Sequence, residues 1–157
     1  RTQKLEKLSK FIYMVVCFVF FLLTDLYLSN EIIRNIANGF TLHNNVFRLN
    51  YVKNTGAAFS LLPNAREFLI IFSVVLITLF FVYVYKHLKS ISLKTIFTIS
   101  LLCAGIAGNL HERIVFGFVR DFFEFTCFNF PVFNLSDVFI NIGVVILIIL
   151  ILAKKTA

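Results

Sequence analysis

Charged residues are scarce in this chain. Only 15% of its 157 residues are Asp, Glu, Lys or Arg, whereas 59% are hydrophobic. A soluble globular domain carries about 25% charged residues, so this composition is typical of a membrane protein. Four long stretches contain no charge at all, and each is a candidate for a membrane-spanning helix: 11–23, 68–85, 96–110 and 138–153.

The patterns of common metal and disulfide sites are also missing. Cys17, Cys103 and Cys127 lack the spacing of metal ligands or of a disulfide framework. His43, His87 and His111 lie in different segments, and the sequence contains no HExxH motif. We therefore expect no metal and no other cofactor.

The four stretches are long enough to cross a bilayer, which takes about 17–25 residues, once their polar ends are included. The first could be mistaken for a signal peptide, but Asp25 stands where a small-residue cleavage site would follow. The sequence predicts an all-α membrane fold, a four-transmembrane-helix bundle that forms one integral domain over residues 1–157. The spans are expected at about 11–28, 68–85, 94–113 and 136–153, with outer loops at about 29–67 and 114–135.

The basic residues predict how the bundle is oriented. Lys and Arg concentrate on short cytoplasmic loops of membrane proteins. If the N-terminus is cytoplasmic, so is the C-terminus, and nine of the 15 basic residues lie in the short inner segments. They are dispersed beside the spans, so a nucleic-acid partner is not expected. These nine are Arg1, Lys4, Lys7, Lys10, Lys86, Lys89, Lys94, Lys154 and Lys155.

The acidic residues are distributed in the opposite way. Of the eight acids, only Glu6 lies on the inner side. An Asp at the centre of a membrane helix costs about 2.5–3.5 kcal/mol, so acids near span ends should face the bundle interior. Their clustering suggests chemistry at the outer face. The outer acids are Asp25, Glu31, Glu67, Glu112, Asp121, Glu124 and Asp137.

The outer loops contain two further patterns. Apolar and polar side chains alternate along residues 46–53, which predicts a strand and hence a small extracytoplasmic β subdomain in the first outer loop. The small residues of 54–60 would let the backbone approach a ligand closely. The second loop is rich in aromatic rings, which either insert into lipid or shape a site for an acyl-bearing ligand: Phe122, Phe123, Phe125, Phe128, Phe130 and Phe133.

Polar residues near the outer ends of spans three and four share helix faces. Asn134, Asp137 and Asn141 follow a spacing of i, i+3 and i+7, and Asn109 and Arg113 are four residues apart. Each residue also has a simpler interpretation. Asn134 or Ser136 could cap a helix that begins near Asp137, Arg113 and Arg120 could anchor lipid headgroups, and Asp25 could end a solvated helix.

Asp121 and Asp137 are the best candidates for paired chemistry, because one follows span three and the other begins span four. Two carboxyl groups held close together share a proton, since like charges resist double ionisation. The charged member can take a proton from water while the neutral member polarises a carbonyl group. Such a pair would form a peptidase without a metal. The sequence leaves open which aspartate holds the proton.

Three segments together resemble the bacterial lipoprotein signal peptidases, the signal peptidase II family. They are NTGAAFS (54–60), AGNLHERIVFGFVRDFFEF (107–125) and FNLSD (133–137). The resemblance implies a multi-pass enzyme of the bacterial cytoplasmic membrane with both termini in the cytoplasm and its site facing outward. It would cut prolipoproteins before a diacylglyceryl-modified cysteine, and globomycin would inhibit it. The implied partners are these substrates and membrane lipid, with the enzyme as a monomer.

The resemblance also implies roles for single residues. Asp121 and Asp137 would be the catalytic aspartates. The chain departs from the family pattern at Glu112, where Asp is usual, at Ser136, where Ala is usual, and at Ser29, where Lys is common. The remaining matched positions would bind substrate or support the pair: Asn54, Gly56, Asn109, Arg113, Asn134 and Asp25.

Two other classes of function remain open from the sequence alone. A four-helix transporter or channel subunit could use the acids as a proton or cation path. Such a path should place ionisable residues at the membrane midplane, and the middle of every predicted span lacks them. A non-enzymatic assembly or scaffold protein would not require both Asp121 and Asp137.

Overall fold

The fold is seen in a computed structural model that describes residues 1–57, 61 and 65–156. The described residues form four long helices and two short strands, which confirms the predicted all-α membrane fold with a small β element. In chain order the elements are α1 (Thr2–Ala37), β1 (Phe47–Asn54), α2 (Arg66–Lys86), α3 (Leu93–Phe116), β2 (Val119–Phe125) and α4 (Leu135–Thr156).

All four helices are long and apolar enough to cross a membrane. The helix α1 runs well past the predicted span 11–28 at both ends and contains 36 residues. Its polar ends are built largely of good helix formers, so the helix continues where hydrophobicity stops. It ends at Ala37 with Asn38 as the C-cap, and Gly39 follows with a φ of 93°, a conformation that glycine adopts without strain.

The helix α3 lies at the centre of the bundle. In its most apolar 18-residue window, 72% of the residues are buried, against 11–17% in the other three helices. The other helices pack around α3 and expose large apolar side chains such as Phe20, Ile71 and Ile149. This exposure suits a lipid environment, because a bilayer solvates apolar side chains.

Close packing of α3 and α4 depends on glycine. A Cβ atom added at Gly105 of α3 would lie 2.7 Å from the Ser136 carbonyl oxygen and 2.8 Å from Ile140 Cγ1. A Cβ atom at Gly143 of α4 would lie 2.9 Å from the Leu102 Cβ. Small residues allow membrane helices to approach so closely, and the N-terminal turns of α4 therefore press directly against α3.

The two strands form one antiparallel sheet at the end of the bundle where α3 ends and α4 begins, called here the sheet end. The register pairs Asn54 with Val119 and Phe47 with Phe125. The predicted strand in the first outer loop is thus confirmed, and the second loop supplies its partner. The alternation expected along β1 fails near its centre, where the register shifts between Leu49 and Val52.

The aromatic side chains of the second loop pack mainly on one another. The Phe125 ring lies 4.9 Å from the ring of Phe128, 5.7 Å from that of Phe130 and 5.4 Å from that of Phe133, measured between centroids. Phe128 nevertheless keeps 53% of its surface exposed. These contacts give the sheet an aromatic core of its own, and contact with lipid or with an acyl chain stays a prediction.

Candidate functional site

Asp137 lies in the first turn of α4 and takes part in the helix cap. Its backbone N–H donates to Asn134 Oδ1 over 2.9 Å, and the backbone N–H of Asn134 donates to Asp137 Oδ2 over 3.1 Å. This reciprocal pair is a capping box. The capping interpretation of Asn134 is therefore confirmed, and it leaves Asp137 Oδ1 available for another partner.

Asn109 of α3 donates a hydrogen bond to that remaining oxygen. Its side-chain nitrogen donates to Asp137 Oδ1 over 3.0 Å, and its Oδ1 accepts from the Asn134 side chain over 2.9 Å. The three side chains form a closed network in which each amide has one assignable orientation. Both carboxyl oxygens of Asp137 thus accept a hydrogen bond, and the side chain is fully buried.

Asp121 comes from β2, between α3 and α4, and only 1% of it is exposed. Within the described residues, neither of its carboxyl oxygens has a hydrogen-bond partner. Burial, and next the negative charge of Asp137, raise the pKa of Asp121 to about 8, against the lowering effects of Asn54 and Arg113. The structure thus buries the two predicted aspartates within electrostatic range of each other.

Arg113, one turn after Asn109 on α3, connects the helix to the segment that follows β1. Its Nη2 donates to the Gly56 carbonyl oxygen over 2.9 Å, and only 5% of the residue is exposed. The Asn54 side chain shapes that segment: its Oδ1 accepts from the Gly56 N–H, and its Nδ2 donates to the Ala57 carbonyl oxygen. The headgroup-anchor interpretation of Arg113 is wrong, because the guanidinium points into the protein.

Asp25 is buried inside the bundle, so its interpretation as a solvated helix end is also wrong. Its carboxyl group accepts hydrogen bonds from Ser29, one turn later on α1, and from Ser136, the residue before Asp137. A Cβ atom at Gly108 would collide with both Asp25 and Ser136. Asp25 thus connects α1 to the start of α4 through hydroxyl groups.

Three other predicted features lie apart from this network or beyond the described residues. Asn141 is exposed, and its side chain donates to the Asp137 carbonyl oxygen of its own helix, so it does not join the site. Arg120 is held by Glu112 and is not a headgroup anchor. Ala58, part of the predicted small-residue segment, lies outside the residues that the structure describes.

Several contacts of the site were not predicted. The sequence indicated neither the second strand nor the hydroxyl partners of Asp25, although Ser29 stands four residues later on the same helix face. The ion pair between Glu112 and Arg120 was also missed. Across the part of the chain that the structure describes, no group of three or more His, Cys, Asp or Glu side chains could hold a metal ion.

Comparison with known proteins gives one consistent result. The family model described as Signal peptidase (SPase) II matches residues 14–153. A Lactococcus lactis protein named lipoprotein signal peptidase is 33% identical over 153 residues, which are 96% of this chain and 98% of that protein. A protein of the same name from Caldicellulosiruptor bescii is 44% identical over 109 residues, or 69% of each chain.

Solved structures agree with the sequence relatives. A bacterial membrane enzyme determined by the in meso method at 2.3 Å resolution superposes with a TM-score of 0.73 at 28% identity. The match covers 92% of this chain and 89% of that one. A second bacterial membrane enzyme, determined at 1.9 Å, gives a TM-score of 0.70 at 28% identity, over 90% of this chain and 92% of that one.

Proposed function

This chain belongs to the signal peptidase II family, and we propose from that membership that it is a membrane endopeptidase that removes signal peptides from prolipoproteins. The observation that carries the proposal is the burial of both Asp121 and Asp137 at the sheet end, close enough for the charge of Asp137 to raise the pKa of Asp121. Burying a carboxyl group costs free energy unless it is paired or hydrogen-bonded, so two buried carboxyl groups, one of them with a raised pKa, are typical of a functional site. In this proposal the two aspartates form the catalytic pair.

The surroundings of the two aspartates support a division of roles. Asp137 accepts from Asn109 and from the Asn134 N–H, and donors of this kind stabilise a carboxylate. Asp121 accepts no hydrogen bond of good geometry within the described residues, and its pKa is raised in spite of the lowering effect of the nearby Asn54 amide. We therefore assign the shared proton to Asp121, while Asp137 is the ionised general base; the apparent pKa values belong to the pair.

The reaction then needs only the pair and one water molecule. Asp137 takes a proton from the water while the water oxygen attacks the scissile carbonyl carbon. Asp121 donates a hydrogen bond to the carbonyl oxygen. When the tetrahedral intermediate collapses, the C–N bond breaks and the leaving nitrogen takes the proton held by Asp137. The products are a carboxylate-ended signal peptide and a free amine, and each aspartate returns to its starting state.

The residues beside the pair offer a place for the substrate backbone. Arg113 fixes the Gly56 carbonyl, and Asn54 shapes the segment that contains Gly56 and Ala57. In the proposal this small-residue segment lies along the peptide and leaves room for small side chains before the cut. The cleaved bond would precede a cysteine that carries diacylglycerol, whose acyl chains keep the bond at the membrane surface.

The same proposal specifies the setting of the enzyme. The sheet end would face the extracytoplasmic side of the bacterial cytoplasmic membrane, and both termini would be cytoplasmic. In this proposal the enzyme acts as a monomer, with both Asp121 and Asp137 supplied by the same chain.

The decisive experiment uses purified enzyme in detergent micelles with a diacylglyceryl-modified prolipoprotein as substrate. Wild type should release the signal peptide, whereas Asp121→Asn and Asp137→Asn should reduce kcat by at least about a thousandfold, because the chemistry depends on both carboxyl groups. Globomycin should inhibit the reaction, and chelators should leave the rate unchanged. Cleavage is measured by the mobility shift of the lipoprotein.

Glu67→Gln serves as the matched control. This acid also lies at the sheet end, but 80% of its side chain is exposed, and neutralising it should leave kcat unchanged. Circular dichroism and thermal unfolding show whether each variant is folded. A folded Asp137→Asn enzyme with wild-type kcat would exclude the proposed pair, and loss of activity on chelation would indicate a metal mechanism instead.

A further inference from the structure

The contacts of Glu112 on α3 and Arg120 on β2 form a second polar cluster beside the site. Arg120 Nε donates to Glu112 Oε1 over 2.7 Å, and Nη2 donates to Glu112 Oε2 over 2.9 Å. This two-point geometry is the strongest that Arg and a carboxylate form. Side-chain exposure is only 9% for Glu112 and 13% for Arg120, so the pair is shielded from water.

The pair also holds the backbone of the strand. The N–H of Arg120 donates to Glu112 Oε1 over 3.3 Å, so one carboxylate oxygen binds both the main chain and the side chain of the same residue. Arg120 Nη2 further donates to Asn30 Oδ1 of α1 over 2.7 Å. The guanidinium carbon lies 4.0 Å from the centre of the Phe116 ring, within cation–π distance. These contacts connect α1, α3 and β2 at one point.

The ion pair closes a short turn. The helix α3 ends at Phe116, Gly117 follows with a φ of 85°, and β2 begins at Val119. Glycine accepts this left-handed conformation without strain, so the chain reverses sharply there. Glu112 lies before the turn and Arg120 after it, and their contact fixes how the strand leaves the helix.

Each member of the pair directly precedes a residue of the proposed site. Glu112 precedes Arg113, which holds the Gly56 carbonyl, and Arg120 precedes Asp121. Asp121 has no hydrogen-bond partner of its own within the described residues. Its carboxyl group is therefore positioned by the backbone of β2, and the strongest side-chain constraint on that backbone at residue 120 is Glu112.

We infer that the Glu112–Arg120 ion pair is a positioning device that holds Asp121 at the distance from Asp137 and Arg113 that catalysis requires. The inference rests on the proposed peptidase function and deepens it. A displacement of about 1 Å can reduce an enzyme's rate about a hundredfold, so a device that fixes the strand acts on kcat. Neither Glu112 nor Arg120 is assigned contact with the substrate.

The test measures kcat and KM of detergent-solubilised enzyme on the diacylglyceryl-modified prolipoprotein, with rates expressed per folded molecule. Arg120→Gln and Glu112→Gln should each lower kcat about 10–100-fold and change KM less than about threefold. The fall in kcat of the double variant should be no larger than that of either single variant, because the two residues act as a unit. A purely structural role would lower the thermal unfolding midpoint and leave kcat per folded molecule unchanged.

Conservative variants guard against failure to fold. Arg120→Lys keeps the charge but loses the fork of two donors, and Glu112→Asp keeps the charge on a shorter side chain. Both variants should have a reduced kcat, but the reduction should be smaller than in the glutamine variants. The matched control is the exposed pair on α1: Arg34→Gln and Glu31→Gln remove the same chemical groups and should leave kcat unchanged.

The possible results separate this inference from the proposed function. If wild type cleaves the prolipoprotein and every folded variant of Glu112 and Arg120 keeps wild-type kcat, the inference is overturned and the peptidase function stands. If wild type fails to cleave while folded, the peptidase function is overturned, and the inference falls with it. A fall in kcat that is reproduced by the Arg34 and Glu31 controls would also overturn the inference.

Discussion

Asp121 and Asp137 have the same side chain in different surroundings. Asp137 begins a helix, where backbone N–H groups are unpaired and favour a negative charge. Asp121 lies within a strand whose N–H groups pair within the sheet, and although the Asn54 amide is near enough to lower its pKa, its carboxyl group accepts no hydrogen bond of good geometry within the described residues. Local secondary structure therefore favours the charge on Asp137 and the proton on Asp121.

The first prediction concerns the pH dependence of catalysis. The raised pKa of Asp121, about 8, keeps this carboxyl group protonated through neutral pH. We expect kcat/KM to be nearly constant from pH 6.5 to 7.5, and to fall above about pH 8 towards a tenfold loss per pH unit as Asp121 ionises. Initial rates across pH 5.5–10 check this. A rate that rises steadily through pH 9 would contradict the assignment.

The same pKa predicts the sign of a stability effect. The unfolded chain releases the Asp121 proton near the ordinary pKa of 3.8, whereas the folded chain keeps it to about pH 8. Between these values the folded state binds more protons, so the contribution of Asp121 to the free energy of unfolding falls as the pH rises. Asp121→Asn cannot ionise, and its denaturation curves should therefore lose this part of the pH dependence.

At the scale of secondary structure, the site is held where α3 and α4 meet. Asn109 of α3 binds Asp137 of α4, and this contact requires the helices to be nearly in van der Waals contact. Gly105, one turn earlier on α3, allows that approach because it has no side chain to hold Ser136 and Ile140 away. Helix packing and catalytic geometry thus depend on the same interface.

A third prediction follows from that interface. Gly105→Ala places a methyl group 2.7 Å from the Ser136 carbonyl oxygen, a backbone atom that cannot rotate away. We expect overpacking to lower the stability by about 1–3 kcal/mol and to reduce kcat by lengthening the Asn109–Asp137 contact. Thermal unfolding and kcat measure the two effects. Ile114→Ala, at a 55% exposed position on the same helix, should change neither.

Sequence patterns predicted the elements better than the contacts between them. The four spans follow from charge-free apolar runs, the first strand follows from the alternation along residues 46–53, and Asn109 and Arg113 do share a buried helix face. The strand β2 was missed because its consecutive aromatic residues break the alternation of apolar and polar side chains that indicates a strand. The Asp25–Ser136 hydrogen bond joins residues 111 positions apart, and such a pairing depends on how α1 packs against α4, which local patterns do not determine.

At the scale of the whole molecule, charge and apolar packing separate along the bundle. The buried charged residues of the described chain are Asp25, Glu112, Arg113, Asp121 and Asp137, and all belong to the sheet end. The other end holds an apolar cluster that includes Met14, Ile96 and Ile99. An ion or proton path needs ionisable groups across the membrane, so this distribution favours a site on one surface over a transporter or channel.

The last prediction concerns orientation, because a site at one surface is useful only if that surface faces the substrate. Cys127 is exposed in the loop after β2, and Lys154 lies near the end of α4 at the opposite end. The concentration of basic residues in the short segments at that end predicts that Lys154 is cytoplasmic. Cys127 should therefore react with a membrane-impermeant maleimide added to intact spheroplasts.

A second variant tests the same prediction with the reactive cysteine at the other end of the bundle. In a Cys127→Ser background, Lys154→Cys should be labelled only after the membrane is permeabilised. Cys127→Ser alone should give little labelling, since Cys103 is buried and Cys17 is partly buried within α1. If Lys154→Cys is labelled in intact spheroplasts while Cys127 of the unmodified protein is not, the orientation of the bundle is the opposite of the predicted one. The two aspartates would then face the cytoplasm, where no translocated lipoprotein could reach them.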